Sequence, residues 1–391
     1  MLNIKNNLNL LLILGLFSCS SSDKKQEDSK VELNPEDLLE SSAFDSEIDG
    51  KKTALFTLQN KNGLTVQITN YGARVVSMFV PDKEGHFDDV ILGFPGIEAY
   101  VAANDRYQGA MVGRFANRIA KGQFVIDGET FDLPQNNNGN TLHGGLKGIH
   151  DVVWDAQIEQ EDGNQKLVLS YLSPDGEEGF PGNLNINISY SLSDDNELIM
   201  EYTAVTDKPT HVNLTHHSYF NLIGSRSGKS IADHQLRIYG SHITPVDENL
   251  IPTGELMPVE GTPFDFLEPV KIGDRVNDSH PQLQAGNGYD HNWVLDKETS
   301  ELQKAAEVLE PNSGRIMEVW TTDPGIQFYG GNFMDGGDTG KDGAKHDYRT
   351  AFCLEAQHFP DSPNQSDFPS TLLLPGEMLR KMDIYKFSVV P

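Results

Sequence analysis

The sequence predicts a large antiparallel β domain, and three observations carry that prediction. Apolar residues recur with a period of two, glycine and proline are plentiful at 36 and 20 of 391 residues, and helical periodicity is almost absent. The clearest alternation runs through NLNINISYSLSDDNELIMEYTAVTD. There Leu184, Ile186, Ile188, Tyr190 and Leu192 alternate with polar neighbours, Asp194-Asp195-Asn196 turns the chain, and Leu198, Met200, Tyr202 and Ala204 resume the pattern. Similar short runs, separated by Gly, Pro, Asn or Asp clusters, predict strands at 64–69, 74–80, 122–133, 167–172, 236–239, 315–320 and 382–389. Residues 298–311 read equally as a helix or, with the PNSG turn and the strand-like RIMEVW that follow, as the first arm of a hairpin. Neither a fixed-period repeat nor a Pro/Ser-rich linker interrupts residues 51–391, so these strands are expected to form one domain.

Composition narrows the function classes. The net charge is −28, from 30 Lys and Arg against 58 Asp and Glu, which disfavours nucleic acid and anionic membrane surfaces as ligands. The two cysteines, Cys19 and Cys353, leave residues 51–391 without a disulfide pair or a cysteine-based zinc site. A polytopic membrane protein is excluded, because the sustained apolar run at residues 8–17 is too short to span a bilayer.

That run, preceded by Lys5 and followed by Ser18, has the form of a secretory signal over residues 1–18. Leu16-Phe17-Ser18-Cys19 resembles a bacterial lipobox, which implies lipidation of Cys19 and attachment to a membrane of the cell envelope, periplasmic or outer. The alternative is a cleaved signal with an incidental cysteine. Residues 20–50 hold ten acidic residues against three lysines with little apolar periodicity, so residues 19–50 are expected to be a solvated tether. Without that segment and Lys5, residues 51–391 still carry −22, and a neutral ligand suits such a body.

Several side chains are candidates for chemistry. Glu355 lies in the apolar run AFCLEAQHFP, where an ionisable group is paired, protonated or used, unless it is simply the outward residue of an alternating strand. His216 and His217 are adjacent, and strand neighbours point to opposite faces, so at most one can serve a given site. His143 precedes Gly144-Gly145 and reads as a turn residue or a ligand contact; Asp290 in GYDHNWVL and Arg118 in ANRIA have similar double readings. The segment MDGGDTGKDGAKHD at 334–347 lacks a full calcium-loop pattern and is expected to be a mobile glycine loop.

Together these segments resemble, in order, the signature blocks of the galactose mutarotase (aldose 1-epimerase) family. The blocks are GAMVGRFANRIAKGQFVIDGETFDLPQNNNGNTLHGG, HVNLTHHSYFNLIG, NLIPTGELMPVEGTPFDF, GYDHNWVL, TTDPGIQFYGGN and FCLEAQHFPDSPNQSDFPSTLLLPGE. The resemblance covers about residues 51–391. It implies an all-β, large antiparallel β-sandwich with an open sugar cleft, a free aldose as substrate, no cofactor or metal, and a monomer. It places the family's base at Glu355 and its acid at His217, with sugar contacts at Asn117, Arg118, His143, Asp290 and Gln327. His216 stands where many relatives carry Asn and should face away from the sugar.

The implied reaction fits these residue types. Exchanging anomers opens the hemiacetal: the C1 hydroxyl loses a proton, the ring oxygen gains one, and rotation about C1–C2 precedes closure. One carboxylate and one imidazole suffice. Glycoside hydrolysis usually needs two carboxylates, and a sugar phosphate would call for more cations than Arg118. A catalytically silent sugar-binding module is the remaining alternative.

Overall fold

The hairpin read from alternation is the spine of the molecule. In a computed structural model that describes residues 33–390 except 162, 298 and 299, Leu184–Leu192 pairs with Glu197–Thr206 from Leu184↔Thr206 to Leu192↔Leu198. Asn196 closes the turn at φ 61°, a left-handed conformation that asparagine tolerates. Around this hairpin grows a nine-stranded antiparallel sheet. Its order is Asp155–Glu161, Asn164–Ser173, Leu184–Leu192, Glu197–Thr206, Leu379–Val389, Arg315–Thr321, Gln303–Leu309, Gln235–Ile238 and Val270–Lys271. The ambiguous segment therefore resolves as a hairpin, Gln303–Leu309 with Arg315–Thr321.

A five-stranded sheet and a four-stranded sheet pack against the nine-stranded one. The five-stranded sheet runs Met257–Pro258, His242–Ile243, Asp290–Val294, Gly325–Tyr329 and Cys353–Gln357. The four-stranded sheet is Leu55–Gln59, Thr65–Thr69, Arg74–Pro81 and Phe87–Asp89. One apolar core joins all three: Ile186, Ile188, Met200 and Tyr202 from the first, Trp293, Ile326, Phe328 and Leu354 from the second, Val66, Ile68 and Val75 from the third. The all-β sandwich expected from the sequence is thus what the chain forms, and its longest described helix, Ile97–Ala102, has six residues.

Two expectations change. Residues 39–50 are part of the body rather than of a tether. Phe44 is fully buried beside Tyr71, Phe94, Ile97 and Tyr100, and Leu39 exchanges two backbone hydrogen bonds with the Gln67 amide. An aromatic residue among acidic neighbours was the local sign of this, hidden by the charge of the segment. The 334–347 segment is likewise anchored, by the charge at its centre. The buried Lys341 ammonium donates to Asp89 Oδ2 at 2.5 Å and to the Val76 and Ile91 carbonyls at 2.6 and 2.8 Å. Residues 1–18, and with them Cys19, lie outside the described residues.

Candidate active site

Cys353–Gln357 and Gly325–Tyr329 pair so that Gln327 stands opposite Glu355, while Gly325–Tyr329 also pairs with Asp290–Val294, bringing Asn292 opposite Gln327. Directly opposed residues share a face, as do residues two apart, so Asp290, Asn292, Gln327 and Glu355 all lie on the face away from the core. Trp293, Ile326, Phe328 and Leu354 take the other face and fill the core. On the short strand Thr215–His217 the same alternation separates the adjacent histidines. His217 turns toward Glu355, whereas His216 packs edge-on against the buried Tyr190 and Tyr385 rings.

Glu355 and His217 meet with Oε1 and Nε2 3.6 Å apart, only 2% and 4% exposed. A buried ammonium supports them from behind. Lys381 donates at 2.7 Å to the carbonyl of Ala356, next to Glu355, and at 2.7 Å to that of Leu214, just before the His217 strand. Its charge is balanced by Asp323 and Asp383.

In front of the pair opens a cavity of about 500 Å³, within the range typical of small-molecule sites. Glu355, His217, His143, Arg118, Asn117 and Asp290 all line it. Asn117 and His143 lock each other: the His143 N–H donates to the Asn117 carbonyl at 2.9 Å, and the Asn117 N–H donates to His143 Nδ1 at 3.2 Å. Both residues hold left-handed backbone, φ 62° and 49°, a strain that sites of function often store. Gly144 makes the turn possible, since a Cβ there would sit 1.9 Å from the Gly113 carbonyl oxygen. The Arg118 guanidinium is aimed by Asn137 and Asn117, with Nε to Oδ1 at 3.3 Å and Nη1 to Oδ1 at 3.4 Å.

Gln327, directly opposite Glu355 on the same face, donates through Nε2 to Asp290 Oδ1 at 2.7 Å and keeps its Oε1 without a partner among the described residues. Sequence reasoning also passed over Asp105, Tyr107 and Tyr219, which all line the cavity. Tyr219 had a legible signal, two residues beyond His217 on extended backbone and therefore on its face. Asp105 and Tyr107 had none, for they arrive from a turn without periodicity.

Electrostatics push the catalytic candidates toward neutral forms. Burial, reinforced by the nearby Asp290, raises Glu355 well above the ordinary carboxylate range, and the Arg118 guanidinium only partly opposes it. Burial lowers His217 to about 4 and His143 well below the usual imidazole value. Burial thus draws the proton affinities of the two groups toward each other, raising the carboxyl and lowering the imidazole.

His143, His217 and Glu355 place their ligand atoms within 4.8 Å of one another, close enough to surround a metal ion. The His143 tautomer does not favour one. Since Nδ1 accepts the Asn117 N–H, the neutral ring carries its proton on Nε2, which makes that atom a donor suited to a sugar oxygen rather than a cation ligand.

Comparison with known proteins agrees with this geometry. The aldose 1-epimerase family model matches residues 54–386. A galactose mutarotase of Rattus norvegicus is 46% identical over 326 residues, covering 83% of this chain and 92% of the relative. An aldose 1-epimerase of Escherichia coli K12 is 36% identical over 341 residues, covering 87% and 96%. Among solved structures, an aldose epimerase homologue from C. elegans aligns with a TM-score of 0.79 at 29% identity, over 87% of this chain and all of that one. A galactose 1-epimerase from Lactobacillus acidophilus aligns with a TM-score of 0.77 at 29% identity, over 88% and 97%. With its sandwich, its carboxyl–imidazole pair and a family match across most of its length, the chain belongs to the aldose 1-epimerase family.

Proposed function

We propose that the protein interconverts the α and β anomers of a free aldose such as D-galactose or D-glucose, with Glu355 and His217 moving the two protons. The observation that carries this reading is the buried 3.6 Å approach of Glu355 Oε1 to His217 Nε2 at the floor of the cavity. With Glu355 ionised and His217 protonated, the pair carries no net charge and requires no counter-ion. Glu355 then accepts the proton of the C1 hydroxyl while His217 donates to the ring oxygen; the C1–O5 bond breaks and the carbonyl forms. Rotation about C1–C2 and the reverse transfers close the ring on the other face and restore both groups.

Arg118, the Nε2–H of His143 and the Asp290 carboxylate, itself held by Gln327, supply the hydroxyl contacts. Enclosing the sugar lets a few polar groups orient it and excludes water from the transfers. Polarimetry of freshly dissolved α-D-galactose tests the assignment. Wild-type protein should speed the approach to equilibrium rotation, and Glu355→Gln should abolish most of that acceleration. Near-normal rates in the variant would refute the role given to Glu355.

The N-terminal reading is a separate proposal, that Cys19 carries a lipid and anchors the enzyme in the cell envelope. It is supported by the Leu16-Phe17-Ser18-Cys19 segment and by the acidic stretch between it and the body. Labelled fatty acid should be incorporated into the full chain and not into Cys19→Ser; equal labelling would overturn it.

A further inference from the structure

A catalytic imidazole is commonly oriented by a hydrogen bond on the nitrogen that does not react. In His217, Nε2 faces Glu355 and Nδ1 is buried with no side-chain partner, the residue's own backbone being the one hydrogen-bonding group that favours the charged ring. Rings surround it instead. Tyr219 lies nearly parallel to the imidazole, with centroids 5.0 Å apart and planes at 16°; Tyr107 is also nearly parallel, at 6.0 Å and 22°. His143 meets it edge-on at 5.1 Å.

A single carboxylate holds both tyrosines. Asp105 Oδ2 accepts the Tyr219 hydroxyl at 2.5 Å, and Oδ1 accepts the Tyr107 backbone N–H at 3.1 Å. Asp105 is fixed in turn by Asp338, whose carboxylate oxygens accept the backbone N–H groups of Asn104 and Asp105 at 3.0 and 3.1 Å. Asp338 belongs to the segment pinned by Lys341, so the stack is braced from the four-stranded sheet. The arrangement also has an electrostatic sense. An imidazolium is attracted to the π-face of a stacked phenol, so parallel tyrosines favour the charged ring over the neutral one.

We propose that Tyr219 and Tyr107, tied together by Asp105, position the His217 ring for proton transfer and favour its charged form as that form arises in turnover. Stacking thus adds to the orientation that a backbone hydrogen bond alone would give. The inference rests on the anomer-interconverting reading and deepens it. The groups facing His217 are the Glu355 carboxyl, the His143 ring and the two tyrosines, with Asp105 behind Tyr219 and Arg74 acting at longer range to disfavour a charged imidazole.

The test compares Tyr219→Leu, which removes the ring, with Tyr219→Phe, which keeps the ring and removes only the tie to Asp105. Full pH–rate profiles are measured by polarimetry with α-D-galactose. Tyr219→Leu should lower kcat about tenfold, leave KM within about twofold, and move the acid limb to lower pH. Tyr219→Phe should recover most of the lost kcat and return the limb toward its wild-type position. Should Tyr219→Leu not fold, Tyr219→Phe and Tyr219→Trp carry the test, both retaining kcat within about threefold because a ring remains. Unchanged kcat and acid limb in Tyr219→Leu would overturn the proposal, as would a rise in KM that accounts for the whole loss. A wild-type protein without mutarotation, or a fully active Glu355→Gln, would instead sink the underlying reading, so the two failures are distinguishable.

Discussion

The nine-stranded and five-stranded sheets share one core yet use their second faces differently. In Glu197–Thr206 every second residue is buried and the intervening ones are partly exposed, so one face packs and the other meets water. In Cys353–Gln357 and Gly325–Tyr329 every residue is buried. The face of the five-stranded sheet that does not pack on the core carries Glu355, Gln327, Asn292 and Gln357, and several of their polar atoms have no hydrogen-bond partner, including Glu355 Oε2 and Gln327 Oε1. Buried polar atoms are normally satisfied. A sheet that leaves them unsatisfied is arranged for a ligand more than for stability, whereas the nine-stranded sheet is arranged for stability.

Substitutions on each sheet should separate those two properties, and the largest effect belongs to the five-stranded one. Glu355→Gln should lower kcat/KM by roughly 10²–10⁴-fold with little change in the thermal midpoint, measured by polarimetry and calorimetry. A matching loss of stability would blur the contrast. On the nine-stranded sheet Ile188→Ala should do the reverse, costing about 2–5 kcal/mol in denaturant unfolding while the surviving folded fraction keeps its kcat.

Lys381 is where the contrast should break. It belongs to the nine-stranded sheet but donates to the carbonyls of Ala356, beside Glu355, and of Leu214, just before the strand of His217. Lys381→Met removes the ammonium that faces the buried Asp323 and Asp383 carboxylates and should cost about 3–5 kcal/mol of stability. It should lower kcat as well, unlike Ile188→Ala; unaltered kcat in the folded fraction would return Lys381 to a purely structural role.

A pH profile sharpens the five-stranded side. Activity needs one proton on the pair. It should fall in acid as His217 gains a second proton, near pH 4 rather than near the imidazole's ordinary value, and fall in alkali once Glu355, raised by burial, loses the last one. An acid limb near pH 6.5 would show that solvent reaches the ring. The smallest effect is expected on the exposed face of the nine-stranded sheet, where Asn187→Ala should change stability by no more than about 0.5 kcal/mol.

Legibility in the sequence followed the same division. The hairpin of Leu184–Leu192 and Glu197–Thr206 could be read, with the inward residue of each pair, because a sheet wet on one face writes its orientation as alternation. The pair Glu355 and His217 was legible as motif chemistry, and the opposed directions of His216 and His217 followed from strand geometry. Phe44 was missed because its packing partners, Tyr71, Phe94, Ile97 and Tyr100, lie 27 to 56 positions further along the chain. Lys341 was missed because a lysine among glycines and aspartates reads as solvated until Asp89 is brought to it.

By itself the sequence determined the strand pattern, the acidic balance, the family and the candidacy of Glu355 and His217 for proton transfer, since each of these is local or carried by contiguous motifs. Only the tertiary structure decided the rest. It set the 3.6 Å approach of Glu355 to His217, tied Gln327 to the Asp290 carboxylate, and turned residues 39–50 and 334–347 into braces. The physical reason is that proton affinity, burial and aim depend on which distant groups are pressed together, and no periodicity along the chain records that.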